Sequence, residues 1–204
     1  MPDFPVALRL ADERVVVIGG DVEAAMKVAR LVTTDAEVTV VAPAIVPRIR
    51  ELVEAGRVRW HARVHQDSDL IGARFVVFAL RDEAVAAELR WKSHAQGALF
   101  SAIDDPRNSD VSHVAIVEAG PIQIAIMSGG GAPSLIRRMR EMMSADFDAR
   151  FARFAAAIIQ KRAQIRALPR SEQKAQLDAW LRGFTVKVAL HFPPWFEKKD
   201  REGT

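Results

Sequence analysis

The sequence predicts an α/β protein in which a doubly wound parallel sheet is followed by a hairpin segment and a helical C-terminal domain. Between residues 14 and 103, short β-branched runs alternate with stretches whose apolar residues recur at helical spacing. Helices on both faces of a parallel sheet are the usual solution for such alternation. After Pro106 two strand-like runs flank a turn sequence, and the last third of the chain shows helical periodicity alone. We therefore expect domains at residues 1–112, 113–146 and 147–204.

The first half of the chain supplies the predicted sheet. Arg14–Ile18 is a β-branched run that meets Gly19-Gly20, and a helix is expected over residues 22–32. Val38–Val41 predicts a second strand, which Pro43 ends. The remaining expected elements are a helix over residues 45–53, an edge strand over 58–64, a central strand Phe75–Leu80, a helix Glu83–Gln96 and a strand Ala98–Ile103.

The second half supplies a hairpin and helices. His113–Val117 and Ile122–Ile126 are the predicted hairpin strands, and Pro133 is placed to open a helix over Ser134–Ser144. Helical spacing then begins at Phe147, is interrupted at Leu168-Pro169, resumes from Leu177 to Val188, and gives way to an irregular tail over residues 192–204. The Phe and Trp stripes predict core or dimer contacts.

Composition and charge exclude several classes of function. The chain has no cysteine, so any metal would be held by histidine or carboxylate. It has no apolar run of membrane-spanning length and no basic, apolar leader, and we expect a cytoplasmic protein without a membrane partner. Residues 114–204 carry 15 Lys+Arg against 9 Asp+Glu. This excess either attracts an anionic ligand or marks a solvated helix face, and it is too small and too poor in interleaved aromatics to predict nucleic-acid binding.

Three loops are candidates for chemistry. The turn after the first strand lies where a dinucleotide pyrophosphate binds, although Gly19-Gly20 also suits a plain tight turn. Asp104-Asp105-Pro106 follows the last parallel strand, where open sheets bind ligands, and one carboxylate there can shuttle a proton; an ordinary turn is the alternative. The third loop, Ser128–Gly131, precedes a helix that carries Arg137, so it is either an anion-binding nest or a hinge.

The five histidines predict no metal site. They are scattered along the chain, and no spacing places two of them on one helix face as a metal pair. For His61 and His65, in or beside a predicted strand, we expect an ordinary surface or core position.

The order of these pieces resembles the precorrin-2 dehydrogenase/sirohydrochlorin ferrochelatase family, whose module also forms the N-terminal part of siroheme synthase. The likeness is collinear over about residues 4–150. It is carried by Leu8-Arg9-Leu10, Val15–Gly20, Lys27 with Arg30-Leu31, Val38–Pro43, Asp104-Asp105-Pro106, Gly120–Ile126, Ser128-Gly129-Gly130, Pro133 and Arg137-Arg138.

The resemblance implies a Rossmann-like domain, a homodimer and NAD-dependent oxidation of precorrin-2 to sirohydrochlorin, in some members followed by insertion of a metal such as ferrous ion or cobalt. Asp104 falls on the family's catalytic aspartate. The positions implied to face NAD are Gly19, Gly20, Asp21, Val22, Glu23, Pro43, Ala44, Leu80 and Arg81. Those implied for the tetrapyrrole pocket are Ser128, Gly129, Gly130 and Arg137.

The positions at which this chain departs from the family pattern are ones implied to face the nucleotide. The family usually has a third glycine at Asp21, a valine at Glu23, a threonine and a small polar residue at Leu80 and Arg81, and often asparagine at Ser101. Arg81 is expected to compensate by pairing with Asp21 or with a phosphate. Two alternatives to the dehydrogenase stay open: a nucleotide-independent chelatase in which Asp104 takes the pyrrole protons, and a non-catalytic tetrapyrrole-binding protein.

Overall fold

The structure, a computed structural model, describes residues 3–187 and 189–194. In the first half of the chain, strands and helices alternate as β1 Arg14–Ile18, α1 Val22–Leu31, β2 Glu37–Val41, α2 Pro47–Glu54, β3 Val58–His61, β4 Phe75–Phe78, α3 Glu83–Ala95 and β5 Leu99–Ala102. They are followed by β6 Ala115–Ala119, β7 Ile122–Ile126, α4 Pro133–Asp146, α5 Ala149–Gln164 and α6 Arg170–Leu181. The predicted α/β class is confirmed, with element ends shifted by a few residues.

The first five strands form one parallel sheet in the order β3-β2-β1-β4-β5. The order reverses direction between β1 and β4, and crevices in open α/β sheets form at the carboxyl ends of the strands at such a reversal. The prediction that β3 is an edge strand is confirmed, and β4, predicted to be central, is an interior strand between the central β1 and the edge strand β5. However, β3 ends at His61, so the expected strand over residues 62–64 is wrong; Arg63 there turns to bind Asp69.

Apolar side chains cover both faces of the sheet. Val15 and Val17 of β1 point to one face, which packs against α1 and α2, while Val16 and Ile18 point to the other. The four side chains are essentially inaccessible to water. A parallel strand that is buried on both faces needs such a continuous run of β-branched residues. This run is the reason why β1 could be predicted from the sequence.

The turn after β1 brings two backbones very close together. A methyl group on Gly20 would lie 2.0 Å from the carbonyl oxygen of Ala44, and the Gly20 carbonyl accepts a hydrogen bond from the Val46 amide at 2.9 Å. Gly19 has φ of 125°, and a methyl group there would lie 3.0 Å from the Ala79 side chain. The two glycines therefore allow the carboxyl ends of β1, β2 and β4 to approach one another closely.

Two acidic residues fix the loops around the sheet. The carboxylate of Asp69 is buried and accepts hydrogen bonds from the Arg63 guanidinium at 2.6 and 2.7 Å, which lowers the pKa of Asp69 to about 2. Asp110 accepts hydrogen bonds from Arg90, and from the Phe100 amide at 2.9 Å. The second carboxylate holds the segment after β5 against the sheet.

The chain divides into two compact units, Met1–Ala115 with Met127–Ile136, and Ile116–Ile126 with Arg137–Thr204. The hairpin β6-β7 turns at Gly120, against which Ala152 of α5 packs. Phe151 and Phe154 of the aromatic stripe stack on Phe184, which remains 45% exposed, so the predicted core or dimer contact stays a prediction. In the part of the chain that the structure describes, no helix is long and apolar enough to cross a membrane.

The expected helical continuation past Leu181 is wrong. Gly183, with φ of 83°, adopts the left-handed conformation that commonly ends helices, so Phe184 reaches the aromatic cluster from an irregular segment. Val188 and residues 195–204 of the expected tail lie outside the described residues.

We predict that Gly20→Ala destabilises the protein by about 3 kcal/mol or more, because its methyl group would overlap the Ala44 carbonyl and the approach is between two backbones. Urea unfolding followed by circular dichroism measures the change. Gly131→Ala is the matched control, since its methyl group would meet only the Ser128 carbonyl at 3.6 Å. Equal effects of the two substitutions would contradict this role of Gly20.

Candidate functional site: a crevice at the carboxyl edge of the sheet

Four loops meet at the carboxyl edge of the sheet. They follow β1, β2, β4 and β5, and their exposed residues include Asp21, Val22, Pro43, Ala44, Leu80, Arg81 and Asp104. Parallel strands deliver these loops to the same edge, because every strand ends there with its carboxyl terminus. The positions implied to face NAD are thus brought to the same edge as Asp104.

Asp21 and Glu23 have different partners at the start of α1. The Asp21 side chain accepts a hydrogen bond from the Ala24 amide at 2.8 Å and caps the helix. Glu23 instead accepts a hydrogen bond from Arg81, with Nη2 to Oε1 at 2.8 Å. The expected pairing of Arg81 with Asp21 is therefore wrong, because the cap already engages the Asp21 carboxylate.

Arg81 also contacts Asp104. The distance from its Nη2 to Asp104 Oδ2 is 3.4 Å, so one guanidinium joins a carboxylate from α1 to a carboxylate after β5. The side chains of Arg81 and Asp104 are 73% and 71% exposed. The bridge therefore lies at the mouth of the crevice, where a ligand can reach both charges.

The two adjacent aspartates after β5 have separate environments. Asp105 caps a short 3₁₀ turn. Its carboxylate accepts hydrogen bonds from the Asn108 side chain and from the amides of Arg107 and Asn108. The hydrogen bond from the Asn108 side chain is the main cause that lowers the pKa of Asp105. Asp104 has a left-handed backbone, with φ of 58°, and no such set of donors. This exposed position at the carboxyl edge of the sheet suits a carboxylate that serves a ligand.

A polar cluster lies behind the crevice. Ser101, fully buried at the carboxyl end of β5, has its Oγ 3.0 Å from Nε2 of His113. Desolvation by the surrounding protein atoms and the neighbouring Lys27 charge lower the pKa of His113 to about 4, although the residue itself keeps an exposed surface. Burial also lowers the pKa of Lys27 on α1, although the Asp104 carboxylate opposes this shift.

The crevice contains one small cavity of about 220 Å³ beside Asp104, smaller than the roughly 300–1,000 Å³ of a full ligand pocket. A dinucleotide would therefore lie along the open edge and not inside an enclosed chamber. The cavity is lined by Leu80, Arg81, Asp82, Glu83, Ala86, Ala102, Ile103, Asp104 and Asp105.

The expected tetrapyrrole residues lie on a loop and a helix outside the sheet. Ser128 Oγ accepts a hydrogen bond from the Ala132 amide at 3.2 Å, so the loop is a closed turn at the start of α4. Gly129 and Gly130 have φ of 59° and 83°, which requires glycine or a similarly tolerant residue. Arg137 is exposed on α4 and belongs to the second unit.

Sequence reasoning missed the role of His113 and noted Lys27 only through the resemblance. Lys27 had a local signal, because it lies four residues after Glu23 on the same face of α1. His113 had none, since the segment pinned by Asp110 returns it to Ser101. Within residues 3–187 and 189–194, no group of three or more His, Asp and Glu side chains is arranged to hold a metal ion.

The sheet order and the strand-end crevice define a dinucleotide-binding class of α/β protein. Residues 6–115 match the family described as "Putative NAD(P)-binding". The chain belongs to this family, which supports the NAD use implied by the sequence.

Two siroheme synthases are similar in sequence to this chain. A siroheme synthase of Xylella fastidiosa (strain M12) is 33% identical over 165 residues, which are 80% of this chain and 35% of that protein. One of Methylococcus capsulatus is 30% identical over 194 residues, 93% of this chain and 40% of its own length. The chain therefore spans less than half of these relatives. They confirm the resemblance to the siroheme synthase N-terminal module.

A solved structure of a precorrin-2 dehydrogenase shares the fold. Its TM-score is 0.77 at 23% sequence identity, covering 89% of this chain and 90% of that one. The likeness supports the Rossmann-like sheet with its hairpin and helical segments.

The backbone at the edge suits a dinucleotide, whereas the side-chain charges there are mixed. The Val22 and Glu23 amides begin α1, where the first amides of a helix lack intrahelical acceptors and suit a phosphate. Arg81 adds a cation beside them. The carboxylates of Asp21 and Glu23 oppose a phosphate, because Asp21 occupies the Ala24 amide and Glu23 occupies Arg81.

We predict that His113 shows no titration between pH 8 and pH 5 and that its midpoint lies near pH 4. Lys27→Met should raise this pKa, because a nearby positive charge is removed, yet keep it below the ordinary value of about 6.5, because the surrounding protein atoms still desolvate the ring. The histidine Hε1 shift measured by NMR against pH reports both values, with His113→Gln for assignment. Lys92→Met, which removes the same charge from α3, is the control. A His113 midpoint near 6.5 in the unaltered protein would refute this account.

Proposed function

We propose that the protein is an NAD-dependent precorrin-2 dehydrogenase, which converts precorrin-2 to sirohydrochlorin in siroheme biosynthesis. The observation that carries the proposal is Asp104, an exposed carboxylate on a left-handed backbone at the carboxyl edge of the sheet. Family membership and the siroheme synthase relatives support the choice of cofactor and substrate. We also propose that the protein is cytoplasmic.

The reaction removes one hydride and one proton from the macrocycle. NAD, when bound, supplies the hydride acceptor. Asp104 accepts the proton as general base, and its exposure at the crevice mouth lets a macrocycle approach it directly. Asp105 does not take this role, because its carboxylate is engaged in the turn that follows β5.

The charge distribution supports a polycarboxylate substrate. Residues 114–204 carry six more basic than acidic side chains, and α4 presents Arg137, Arg138 and Arg140 on exposed positions. Guanidinium groups bind carboxylates with paired hydrogen bonds. We assign Ser128, Gly129, Gly130 and Arg137 to the tetrapyrrole pocket by the family resemblance, and the Arg137 guanidinium suits the carboxylates of such a substrate.

The segment 113–146 is proposed to form a homodimer. Leu135, Met139 and Met142 recur at helical spacing on one side of α4 and are 59%, 38% and 52% exposed. An apolar stripe left open to water on a helix is typical of a contact with another copy or protein. The hairpin β6-β7 precedes this helix and belongs to the same proposed segment.

We predict that Asp104→Asn lowers the rate of NADH formation from NAD and precorrin-2 by about 100-fold to 10,000-fold, the range of a lost general base. The amide keeps the shape and tolerates a left-handed backbone, but it cannot accept the proton. The affinity for NAD, measured by calorimetry, should be kept or slightly increased, because Asp104 no longer competes for the Arg81 guanidinium.

Asp35→Asn is the matched control for this experiment. Asp35 is exposed, has φ of 57°, and precedes β2 at the opposite edge of the sheet. We expect it to leave the rate unaltered. An Asp104→Asn protein that retains more than about a tenth of the unaltered rate would rule out the proton-acceptor role. If the unaltered protein forms no NADH with active substrate, the dehydrogenase proposal itself is wrong.

A further inference from the structure

We propose that Arg81 is the residue that recognises the pyrophosphate of the dinucleotide, and that Glu23 regulates its strength by competing for the guanidinium. The inference rests on NAD use by the crevice and adds to it a specific ligand contact. It assigns a function to the position at which this chain carries a positive charge that the family pattern described above lacks.

The first support is the geometry of the bridge. Arg81 follows β4, while Glu23 lies in the first turn of α1, 58 residues away in sequence, and the two groups are 2.8 Å apart. The pair therefore holds a cation beside the turn that in dinucleotide-binding sheets faces the pyrophosphate. No other position among those implied to face NAD carries a positive charge.

The second support is the unused hydrogen-bonding capacity of Arg81. Both of its bonds, to Glu23 and to Asp104, are made by Nη2. Among the described residues, Nε and Nη1 of Arg81 bind no protein group. A guanidinium offers five donors in a planar fork that matches two phosphate oxygens, so a ligand can be bound by donors that the protein leaves open.

The third support is that Asp21 does not compete for Arg81. Its carboxylate accepts the Ala24 amide and neutralises part of the helix N-terminus, which weakens the attraction of the backbone for phosphate. A side-chain cation is then the group left to bind the pyrophosphate. Glu23, which is exposed over only a third of its side chain, is the carboxylate that an arriving phosphate must compete with.

The test is calorimetric titration with inorganic pyrophosphate and with NAD, at low and high salt, on four proteins: unaltered, Glu23→Gln, Arg81→Gln and the double variant. We expect Glu23→Gln to tighten pyrophosphate binding about fivefold, the equivalent of the ~1 kcal/mol upper value of an exposed ion pair. Arg81→Gln should weaken it about tenfold. In the Arg81→Gln background, Glu23→Gln should have little further effect, because no competition for the guanidinium remains.

Glu37→Gln is the matched control, because it removes the same charge and an ion pair with Arg59 at the opposite edge of the sheet. Circular dichroism melting verifies that all variants fold. The proposal is overturned if Arg81→Gln leaves binding unchanged or tightens it, or if Glu23→Gln tightens binding equally with and without Arg81, since its effect would then be a general loss of negative charge. Failure of NADH formation with precorrin-2, while pyrophosphate binding follows the expected pattern, would count against the proposed substrate and not against Arg81.

Discussion

The close approach of Gly20 to the Ala44 carbonyl is the constraint on which the site depends. It brings the end of β1 against the segment that leads into α2, and the Val46 amide fixes it with a hydrogen bond to Gly20. Because β1 is the central strand, this contact sets where α1 starts and which loops share the edge with it. The glycine is thus explained by the packing of the protein itself, and the ligand crevice is a consequence of that packing.

Electrostatics then determine what the crevice can bind. Two acidic side chains at the start of α1 oppose a pyrophosphate: Asp21 caps the helix and weakens its attraction for an anion, and Glu23 pairs with the Arg81 guanidinium. The same guanidinium reaches Asp104, so cofactor recognition and the proposed proton acceptor share one charge network. Behind it, the neutral imidazole of His113 and the buried hydroxyl of Ser101 add dipoles without adding a net charge.

The sequence predicted the sheet better than the site. Strand β1 is a run of consecutive apolar residues. Such a run can be recognised in the sequence without knowledge of the fold. The partnership of Arg81 with Glu23 joins residues 58 positions apart, and it follows from strand order, which periodicity does not contain. The contact of His113 with Ser101 depends on a loop that folds back over the sheet. The end of α6 depends on the backbone conformation of one residue, Gly183. Neither feature has a periodic signal in the sequence.

The central claim is that the carboxyl edge of the sheet binds NAD beside Asp104, and backbone amide NMR during an NAD titration tests it most directly. The account predicts saturable shift changes concentrated in residues 19–23, 44, 80–82 and 104–105, in the four strand-end loops. Shift changes confined to residues 35–37, 56–58 and 72–74 at the opposite edge, or no saturable change with folded protein, would contradict it.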